Sequence, residues 1–222
     1  VNCLDAHAVT EEISEFQPSA VIHLAALSHP QYRPVDAFYA VNVVGTEHVL
    51  SAARLLPHLR QVVLASSATV YGRTAQRLEV LSEDDPVEPV GHYALSKFAM
   101  EQLVWDYSDM PILVLRPFNY TGPGQSESFL FGKVIAHIGR GDPVLELGNL
   151  KLARDLSFID DVINVYVACI HSKTPLTGLC NLCSGEAQSL EELVTGLVAQ
   201  TGSTIEIRSS PSLHRGREAP IL

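Results

Sequence analysis

The stretch Gln61-Val62-Val63-Leu64-Ala65-Ser66-Ser67 decides how this chain folds. Its short apolar run predicts a parallel strand that is buried on both faces, and the hydroxyls after it predict a loop at the carboxyl end of that strand. Ligands of open α/β sheets bind at the edge where the strands end. Ser67 therefore stands where chemistry is expected, although a turn or helix-cap serine is the plainer explanation of this residue alone.

Apolar runs of the same kind lie on either side of this strand in the sequence. Residues 20–25 (AVIHLA) and residues 111–116 (PILVLR) predict two more strands, and a long helix is predicted over residues 35–56. Strands that alternate with helices are typical of a parallel sheet, in which the carboxyl ends of the strands meet at one edge. Three strand ends are thus expected at the same edge.

The second half of the chain has a looser pattern. Past residue 124 the sequence predicts a helix over residues 160–171, a second helix that opens at the capping box Ser189-Leu190-Glu191-Glu192, and a strand over residues 204–208. No internal repeat and no low-complexity linker separates the two halves. A second lobe is therefore expected to grow out of the first without a flexible tether.

A tyrosine and a lysine stand four residues apart in the segment Tyr93-Ala94-Leu95-Ser96-Lys97. On a helix this spacing puts a phenol and an ammonium on one face, and a nearby cation favours the phenolate, which lowers the pKa of tyrosine from about 10. An ordinary amphipathic pair has the same spacing. Because Ser67 lies at the preceding strand end, we expect Ser67, Tyr93 and Lys97 to act together on one carbonyl oxygen.

Composition and charge exclude several classes of protein. The formal net charge of −10, without a run of lysine or arginine, argues against a nucleic-acid partner. No apolar run approaches the roughly 20 residues that a bilayer requires, and no signal peptide is recognisable, so no membrane partner and a cytoplasmic location are predicted. Cys180 and Cys183 form a lone C-x-x-C on a predicted strand, which favours buried thiols over a metal site.

Six short motifs follow one another along nearly the whole chain. They are His23-Leu24-Ala25-Ala26, Asn42-Val43-Val44-Gly45-Thr46, Ser66-Ser67-Ala68-Thr69-Val70-Tyr71-Gly72, Tyr93-Ala94-Leu95-Ser96-Lys97, Arg116-Pro117-Phe118-Asn119 and Arg154-Asp155. Together they resemble the extended short-chain dehydrogenase/reductase family, in its branch of nucleotide-sugar epimerases, dehydratases and reductases.

The resemblance implies an α/β fold with a Rossmann-type parallel sheet and a smaller, mixed α/β C-terminal lobe. Residues 1–120 are expected to form the cofactor-binding domain, and residues 121–222 a nucleotide-sugar-binding lobe interleaved with the last Rossmann elements. No G-x-G-x-x-G follows a predicted strand. This Gly-rich first βα unit is expected to lie before Val1, which leaves the domain incomplete at its N-terminus.

The resemblance also implies a cofactor, NAD or NADP, with Lys97 hydrogen-bonded to the nicotinamide ribose as well. A homodimer through the helical segments at residues 35–56 and 93–107 is implied in the same way. The implied cofactor contacts are Leu24, Ala25, Ala26, Asn42, Tyr93, Lys97 and Pro117.

Three segments resemble the enzymes that handle GDP-mannose derivatives, both the 4,6-dehydratase and the 4-keto-6-deoxymannose reductase. They are residues 119–126, residues 148–150 with Arg154-Asp155, and residues 181–185, and residues 215–220 resemble the arginine-bearing loop that closes on the diphosphate. A guanidinium fork meets two phosphate oxygens, although a single cation is more often a solvated surface charge. The substrate implied is a nucleotide sugar, a GDP-hexose, with contacts to Ser28, Ser67, Asn119, Lys133, Arg154 and Arg215.

One position bears on the choice between reactions. The dehydratases that the chain resembles have a carboxylate just after the catalytic hydroxyl, whereas Ala68 and Thr69 follow Ser67 here. Without that acid or base we predict hydride transfer that reduces the C4 ketone of a GDP-4-keto-6-deoxyhexose, with Tyr93 as the proton donor. A 4-epimerase, which needs the same three residues, is the first alternative and a GDP-mannose 4,6-dehydratase the second. A catalytically silent nucleotide-sugar-binding fragment is the alternative from another class.

Overall fold

The computed structural model describes residues 1–29 and 32–213, along which strands and helices alternate. No helix in these ranges has the length and apolar content needed to cross a membrane. The helices are α1 (Ala6–Phe16), α2 (Asp36–Tyr39), α3 (Gly45–Arg54), α4 (His92–Leu103), α5 (Leu130–Arg140), α6 (Ile159–Ile170) and α7 (Leu190–Gln200). The strands are β1 (Ala20–His23), β2 (Gln61–Ala65), β3 (Ile112–Pro117), β4 (Asn119–Thr121), β5 (Val144–Leu147), β6 (Ala153–Phe158), β7 (Gly178–Leu182), β8 (Ala187–Ser189) and β9 (Glu206–Ser209).

Contacts within the chain divide it into two compact units, which we describe separately. The first unit consists of Val1–Thr74, Leu81–Pro117 and Val162–Leu182. The second unit consists of Ala75–Val80, Phe118–Asp161 and the described residues from Cys183 onward. The division predicted from the sequence, with a cofactor-binding part at residues 1–120 and a sugar-binding part at residues 121–222, stays a prediction.

The first unit is built on a four-stranded parallel sheet in the order β1-β2-β3-β7. Strands β2 and β3 are buried almost throughout, as the apolar run at residues 61–65 predicts. Leu64 pairs with His23 on one side and with Val114 on the other. Because all four strands are parallel, their carboxyl ends share one edge, and the predicted grouping of the strand ends after β1, β2 and β3 is confirmed.

Helices α3 and α4 contribute to the core of the first unit with side chains at helical spacing. Leu50 and Ala53 of α3 and Met100 of α4 pack with Leu64 and Val114 of the sheet, and all five are buried. Burying an aliphatic side chain of this size contributes about 1.5–3 kcal/mol. The packing therefore fixes α4, which carries Tyr93 and Lys97, against the strands whose ends form the edge.

The segment predicted as one long helix over residues 35–56 changes its helical type in the middle. Helix α2 ends at Tyr39, Ala40–Val44 form a π-helix, and α3 begins at Gly45. A π-turn inserts one extra residue per turn and is frequent at functional sites. Buried Asn42 lies in this turn. The predicted long helix is confirmed as a continuous helical segment over residues 36–54, and the sequence did not indicate the π-turn within it, where the Asn42 side chain bonds to Leu27 and Ser96.

The second unit contains a mixed sheet and a two-stranded parallel sheet. Strand β6 pairs in parallel with β4 and antiparallel with β8, and β5 pairs in parallel with β9. Helices α5 and α7 bury Val134 and Val194 in a core shared with Leu145 and Leu147. The predicted cap of α7 is confirmed, since the Ser189 hydroxyl accepts a hydrogen bond from the Glu192 amide at 3.3 Å.

The prediction of buried thiols at Cys180 and Cys183 is wrong, because both cysteines are exposed. Strand β7 is an edge strand of the described four-stranded sheet, and its residues Gly178, Leu179 and Cys180 are all exposed. Consecutive residues face opposite sides of a strand, so neither side is covered at this point. Among residues 1–29 and 32–213, no group of three or more His, Cys, Asp or Glu side chains is placed to hold a metal ion.

Candidate active site

Lys97 lies in the second turn of α4 and reaches the carboxyl end of β2. Its side chain is buried, with 5% of the residue exposed, and Nζ donates a hydrogen bond to the Ala65 carbonyl oxygen at 2.6 Å. Burial lowers the pKa of Lys97 to about 8, against an opposing effect of the Glu101 carboxylate one turn later. The ammonium is therefore held at the strand end and loses its proton far more easily than an exposed lysine.

Ser67 follows β2 and begins the short 3₁₀-helix Ala68–Tyr71. Its Oγ accepts hydrogen bonds from the Thr69 amide at 3.2 Å and from the Thr69 hydroxyl at 2.9 Å. The plainer explanation of Ser67 as a cap residue is thus correct as far as it goes. Both bonds use the oxygen as an acceptor, which leaves the Ser67 proton for donation to a ligand.

Tyr93 lies in the first turn of α4, and the backbone before it is fixed by a glycine. Gly91 has a φ of 87°, a conformation that side chains disfavour, and it marks the start of the helix at His92. The Tyr93 ring lies 6.3 Å from the ring of buried Phe38, centroid to centroid. The Ser96 hydroxyl donates to the Tyr93 carbonyl at 2.8 Å. Backbone and ring of Tyr93 are therefore both fixed within the first unit.

The structure brings the three predicted catalytic residues to neighbouring elements of the first unit. Helix α4, with Tyr93 and Lys97, contacts the 3₁₀-helix that Ser67 begins. The bond from Lys97 to Ala65 ends two residues before Ser67. The grouping predicted from helix spacing and strand order thus matches the geometry of these elements, and the catalytic role stays a prediction.

Asn42 ties the loop after β1 to helix α4. Its side chain accepts from the Leu27 amide at 2.8 Å and donates to the Leu27 carbonyl at 3.1 Å and to the Ser96 hydroxyl at 2.9 Å. A buried amide with this many partners holds one orientation. Asn42 therefore fixes the loop on which the predicted cofactor contacts Leu24, Ala25 and Ala26 lie.

The remaining cofactor and substrate contacts predicted in the first unit differ in exposure. Leu24, Ala25 and Ser28 are exposed and Ala26 is half-buried, whereas Pro117 is buried at the last position of β3. The exposed residues follow the carboxyl end of β1. They stand at the edge where ligands of parallel sheets bind.

No role was predicted from the sequence for His23, which lies at the end of β1. It is buried, and its Nε2 lies 3.0 Å from the Thr46 hydroxyl. Burial, and to a smaller extent the charge of Lys97, lower the pKa of His23 to about 4. The imidazole is therefore neutral at pH 7 and leaves Lys97 as the buried cation beside it.

A buried group of polar residues behind these side chains was missed by sequence reasoning. Arg116 and Glu101 form an ion pair in which the guanidinium Nη2 lies 2.7 Å from Oε2, and both side chains are 2% exposed. Ser66 and Tyr71 hydrogen-bond to the pair. A signal was present, since a charged residue at the end of the apolar strand at residues 111–116 needs a buried partner.

The predicted substrate contacts of the second unit are held by backbone carbonyls. Lys133 Nζ donates to the Glu146 carbonyl at 2.6 Å, and Arg154 Nη1 donates to the Ala153 carbonyl at 2.7 Å. Asn119 Nδ2 donates to the Asp155 carbonyl at 3.3 Å. Arg215, the last predicted contact, lies outside the described residues.

Asp155 has a different task from its neighbour Arg154, although the sequence presents the two as one motif. The Asp155 carboxylate accepts from the Ser184 amide at 2.8 Å, from the Ser184 hydroxyl at 3.0 Å and from the Gly185 amide at 2.6 Å. It is buried, with 7% of the residue exposed. Asp155 therefore holds the turn at residues 183–186, and its charge is used within the second unit.

Comparisons with known proteins identify relatives of this chain. The sequence model of the NAD dependent epimerase/dehydratase family matches residues 1–178. GDP-6-deoxy-D-talose 4-dehydrogenase of Aggregatibacter actinomycetemcomitans is 33% identical over 216 residues, which are 96% of this chain and 72% of that protein. GDP-6-deoxy-D-mannose reductase of Pseudomonas aeruginosa is 31% identical over 211 residues, which are 90% of this chain and 69% of that protein. The structure of RMD from Pseudomonas aeruginosa complexed with NADPH superimposes with a TM-score of 0.88 at 28% identity, over 99% of this chain and 76% of that one.

Proposed function

The chain belongs to the NAD dependent epimerase/dehydratase family, and on that basis we propose that it is a nucleotide-sugar oxidoreductase that reduces the C4 ketone of a GDP-4-keto-6-deoxyhexose. The observation that carries the proposal is the contact between Thr69 and Ser67. Thr69, whose hydroxyl donates to Ser67 Oγ at 2.9 Å, stands just after the catalytic hydroxyl, where the dehydratases that the chain resembles have a carboxylate. The two relatives named above support the same conclusion, since one is a 4-dehydrogenase and the other a reductase of GDP-6-deoxy sugars.

The carboxyl edge of the first unit fits a nicotinamide dinucleotide. Exposed Leu24 and Ala25 offer a small, apolar surface on a loop that Asn42 holds in place. Dinucleotides bind across this edge in parallel α/β sheets. We assign Leu24, Ala25, Ala26, Asn42, Tyr93, Lys97 and Pro117 to the cofactor, and the relative with bound NADPH supports that assignment.

Bound NAD(P)H supplies the hydride that the C4 carbon of the ketone accepts. Ser67 donates a hydrogen bond to the carbonyl oxygen, because its oxygen already accepts two bonds from Thr69. Tyr93 gives its phenolic proton to the same oxygen, which becomes the C4 hydroxyl. Lys97 stabilises the phenolate left on Tyr93 until a proton from solvent restores the phenol.

In this proposal the cations of the second unit bind the nucleotide end of the substrate. Arg154, Lys133 and Arg215 pair with the diphosphate, with Asn119 and Ser28 as further contacts to the substrate. The Lys133 ammonium donates to the neutral carbonyl oxygen of Glu146, which a phosphate displaces at little cost. The guanine base is supported by the names of the two relatives.

A homodimer and a cytoplasmic location belong to the same proposal. Exposed apolar side chains support an interface on the two helical segments at residues 35–56 and 93–107. They are Val44, Leu55, Leu95 and Trp105, which are 47%, 69%, 41% and 77% exposed. Sedimentation of the wild-type protein and of Trp105→Asp tests the dimer, which the substitution is expected to dissociate.

The proposed reaction is tested with the purified protein, GDP-4-keto-6-deoxymannose and either NADPH or NADH. The expected result is steady loss of reduced-cofactor absorbance, matched mole for mole by a GDP-6-deoxyhexose. Product without net loss of cofactor indicates a 4-epimerase. If the protein binds neither cofactor, as a titration of nucleotide fluorescence measures, it is a silent binding protein and the proposal is wrong.

A further inference from the structure

Arg116 and Glu101 form a charged pair in the protein interior, where the burial of charge costs free energy. Arg116 is 1% exposed in β3, and Glu101 is 4% exposed in α4. The two form a bidentate pair along one guanidinium edge, with Nε to Oε1 at 2.9 Å and Nη2 to Oε2 at 2.7 Å. A buried ion pair is often no more stable than apolar side chains of the same volume. Stability alone therefore gives no reason for this pair.

Two hydroxyl groups add hydrogen bonds around the pair, and one of them, that of Tyr71, also donates to Asn181 Oδ1 at 2.7 Å. The Ser66 hydroxyl donates to Glu101 Oε1. The Tyr71 hydroxyl accepts from Arg116 Nη1 at 3.0 Å, and the guanidinium carbon lies 4.9 Å from the centre of the Tyr71 ring. We call Ser66, Tyr71, Glu101 and Arg116 the buried network. All four residues have their polar atoms paired, so the network holds one arrangement.

The buried network involves the three elements that carry the candidate active site in the first unit, which are the end of β2, the 3₁₀-helix Ala68–Tyr71 and helix α4. Ser66 precedes Ser67 in the chain, and Tyr71 ends the 3₁₀-helix that Ser67 begins. Glu101 lies one turn after Lys97 on α4. A shift of α4 relative to the end of β2 therefore breaks the bond from Ser66 to Glu101 and moves Lys97 and Ser67 apart.

The charge of Glu101 also acts on Lys97 directly. Burial lowers the pKa of Lys97 to about 8, and the Glu101 carboxylate works in the opposite direction. Other ionisable groups around Lys97 are neutral His23 at the end of β1 and Tyr93 one turn earlier on α4. Glu101 is thus the anion that helps to keep Lys97 protonated.

We propose that Ser66, Glu101 and Arg116 are positioning residues, which hold Ser67 where it donates to the substrate oxygen and Lys97 where it stabilises the phenolate of Tyr93. This inference rests on the proposed function for the role of Ser67 and Lys97. Because Ser66, Glu101 and Arg116 are 5%, 4% and 1% exposed, the proposal gives them no contact with the substrate or the cofactor. Its loss is therefore expected to lower kcat and to leave KM nearly unchanged.

The first test replaces both charges together, so that no unpaired charge remains. Glu101→Leu with Arg116→Met keeps the volume of the pair and is expected to fold with a melting temperature near that of the wild type. Its kcat is expected to fall about tenfold or more, with KM for the sugar nucleotide within about threefold. A folded double variant with the kcat of the wild type overturns the proposal.

The exposed pair Arg208–Glu206 of the second unit is a matched control, because it is also a bidentate arginine–glutamate pair, with Nε to Oε1 at 2.8 Å and Nη2 to Oε2 at 2.7 Å. Its side chains are 56% and 57% exposed. Arg208→Met with Glu206→Leu removes the same charges at the surface. This double variant is expected to retain the kcat of the wild type, and an equal loss of kcat in both double variants contradicts a specific role of the buried network.

Ser66→Ala keeps the ion pair and tests the positioning role if the buried double variant fails to fold. The backbone amide of Lys97 is expected to shift in the NMR spectrum of Ser66→Ala, whereas the amide of Asp155 stays in place. The NMR measurement does not require enzyme activity. If the wild type fails to reduce the ketone, the proposed function is wrong, and the positioning role can still be tested by NMR. An unchanged Lys97 amide and an unchanged kcat overturn the positioning role.

Discussion

The candidate catalytic groups of the first unit and the candidate phosphate contacts of the second unit are held in different ways. Lys97 and Ser67 are 5% and 9% exposed and bond to residues that are fixed themselves. Lys133 and Arg154 are half-buried and bond to carbonyl oxygens of their own unit. Groups that transfer a proton need a fixed geometry before the substrate arrives, whereas a long cation can adjust to a phosphate during binding.

Asp155 shows that a fixed side-chain geometry is a property of individual residues and not of a whole unit. It is a buried carboxylate of the second unit with three hydrogen bonds, and it resembles Glu101 of the first unit more than it resembles Arg154. Burial and the number of partners therefore indicate which residues set a geometry. Substitutions at such residues and at the half-exposed cations are expected to have different kinds of effect.

The largest effect is expected for Tyr93→Phe, which removes the proton donor and keeps the ring beside Phe38. A general acid contributes about 10²- to 10⁴-fold, so kcat is expected to fall by that factor while the melting temperature stays the same. Steady-state assays on the 4-keto sugar measure it. Tyr120→Phe, at a tyrosine that is 45% exposed in the second unit, is the matched control with an unchanged kcat. A fully active Tyr93→Phe enzyme contradicts the mechanism.

The next effect separates two adjacent residues. Asp155→Ala removes a buried carboxylate and leaves two amides of the turn without their acceptor, which is expected to cost about 3 kcal/mol of unfolding free energy. Arg154→Ala is expected to cost less than about 1 kcal/mol and to raise KM for the sugar nucleotide instead. Urea unfolding and steady-state kinetics measure the two outcomes. Equal losses of stability in both variants contradict the different roles of Asp155 and Arg154.

A smaller effect is expected from the neutral histidine of the first unit. The folded pKa of His23 is about 4, below its ordinary value of 6.5, so the unfolded chain takes up the proton first. The stability that depends on neutral His23 is present above pH 6.5 and is lost as the pH falls through 4, on the order of 2 kcal/mol. Urea unfolding between pH 7 and pH 4 compares the wild type with His23→Gln. Parallel curves for the two proteins contradict a buried neutral imidazole.

The sequence predicted those parts of the molecule that depend on local pattern. The apolar run at residues 61–65 is β2, and Ser189 caps α7, because burial and capping act within a few residues. The π-turn at Asn42 was beyond prediction, since its partners Leu27 and Ser96 are distant in the chain. The buried network was missed for the same reason: Glu101 and Arg116 meet only once α4 packs on the sheet.

We propose above all that the fixed groups of the first unit serve hydride transfer to a sugar carbonyl. The most direct measurement supplies NAD(P)H with deuterium at the transferable position, together with GDP-4-keto-6-deoxymannose, and locates the deuterium in the product by NMR. We expect one deuterium, at C4, with an equal amount of oxidised cofactor. A product that carries no deuterium at C4 contradicts the claim.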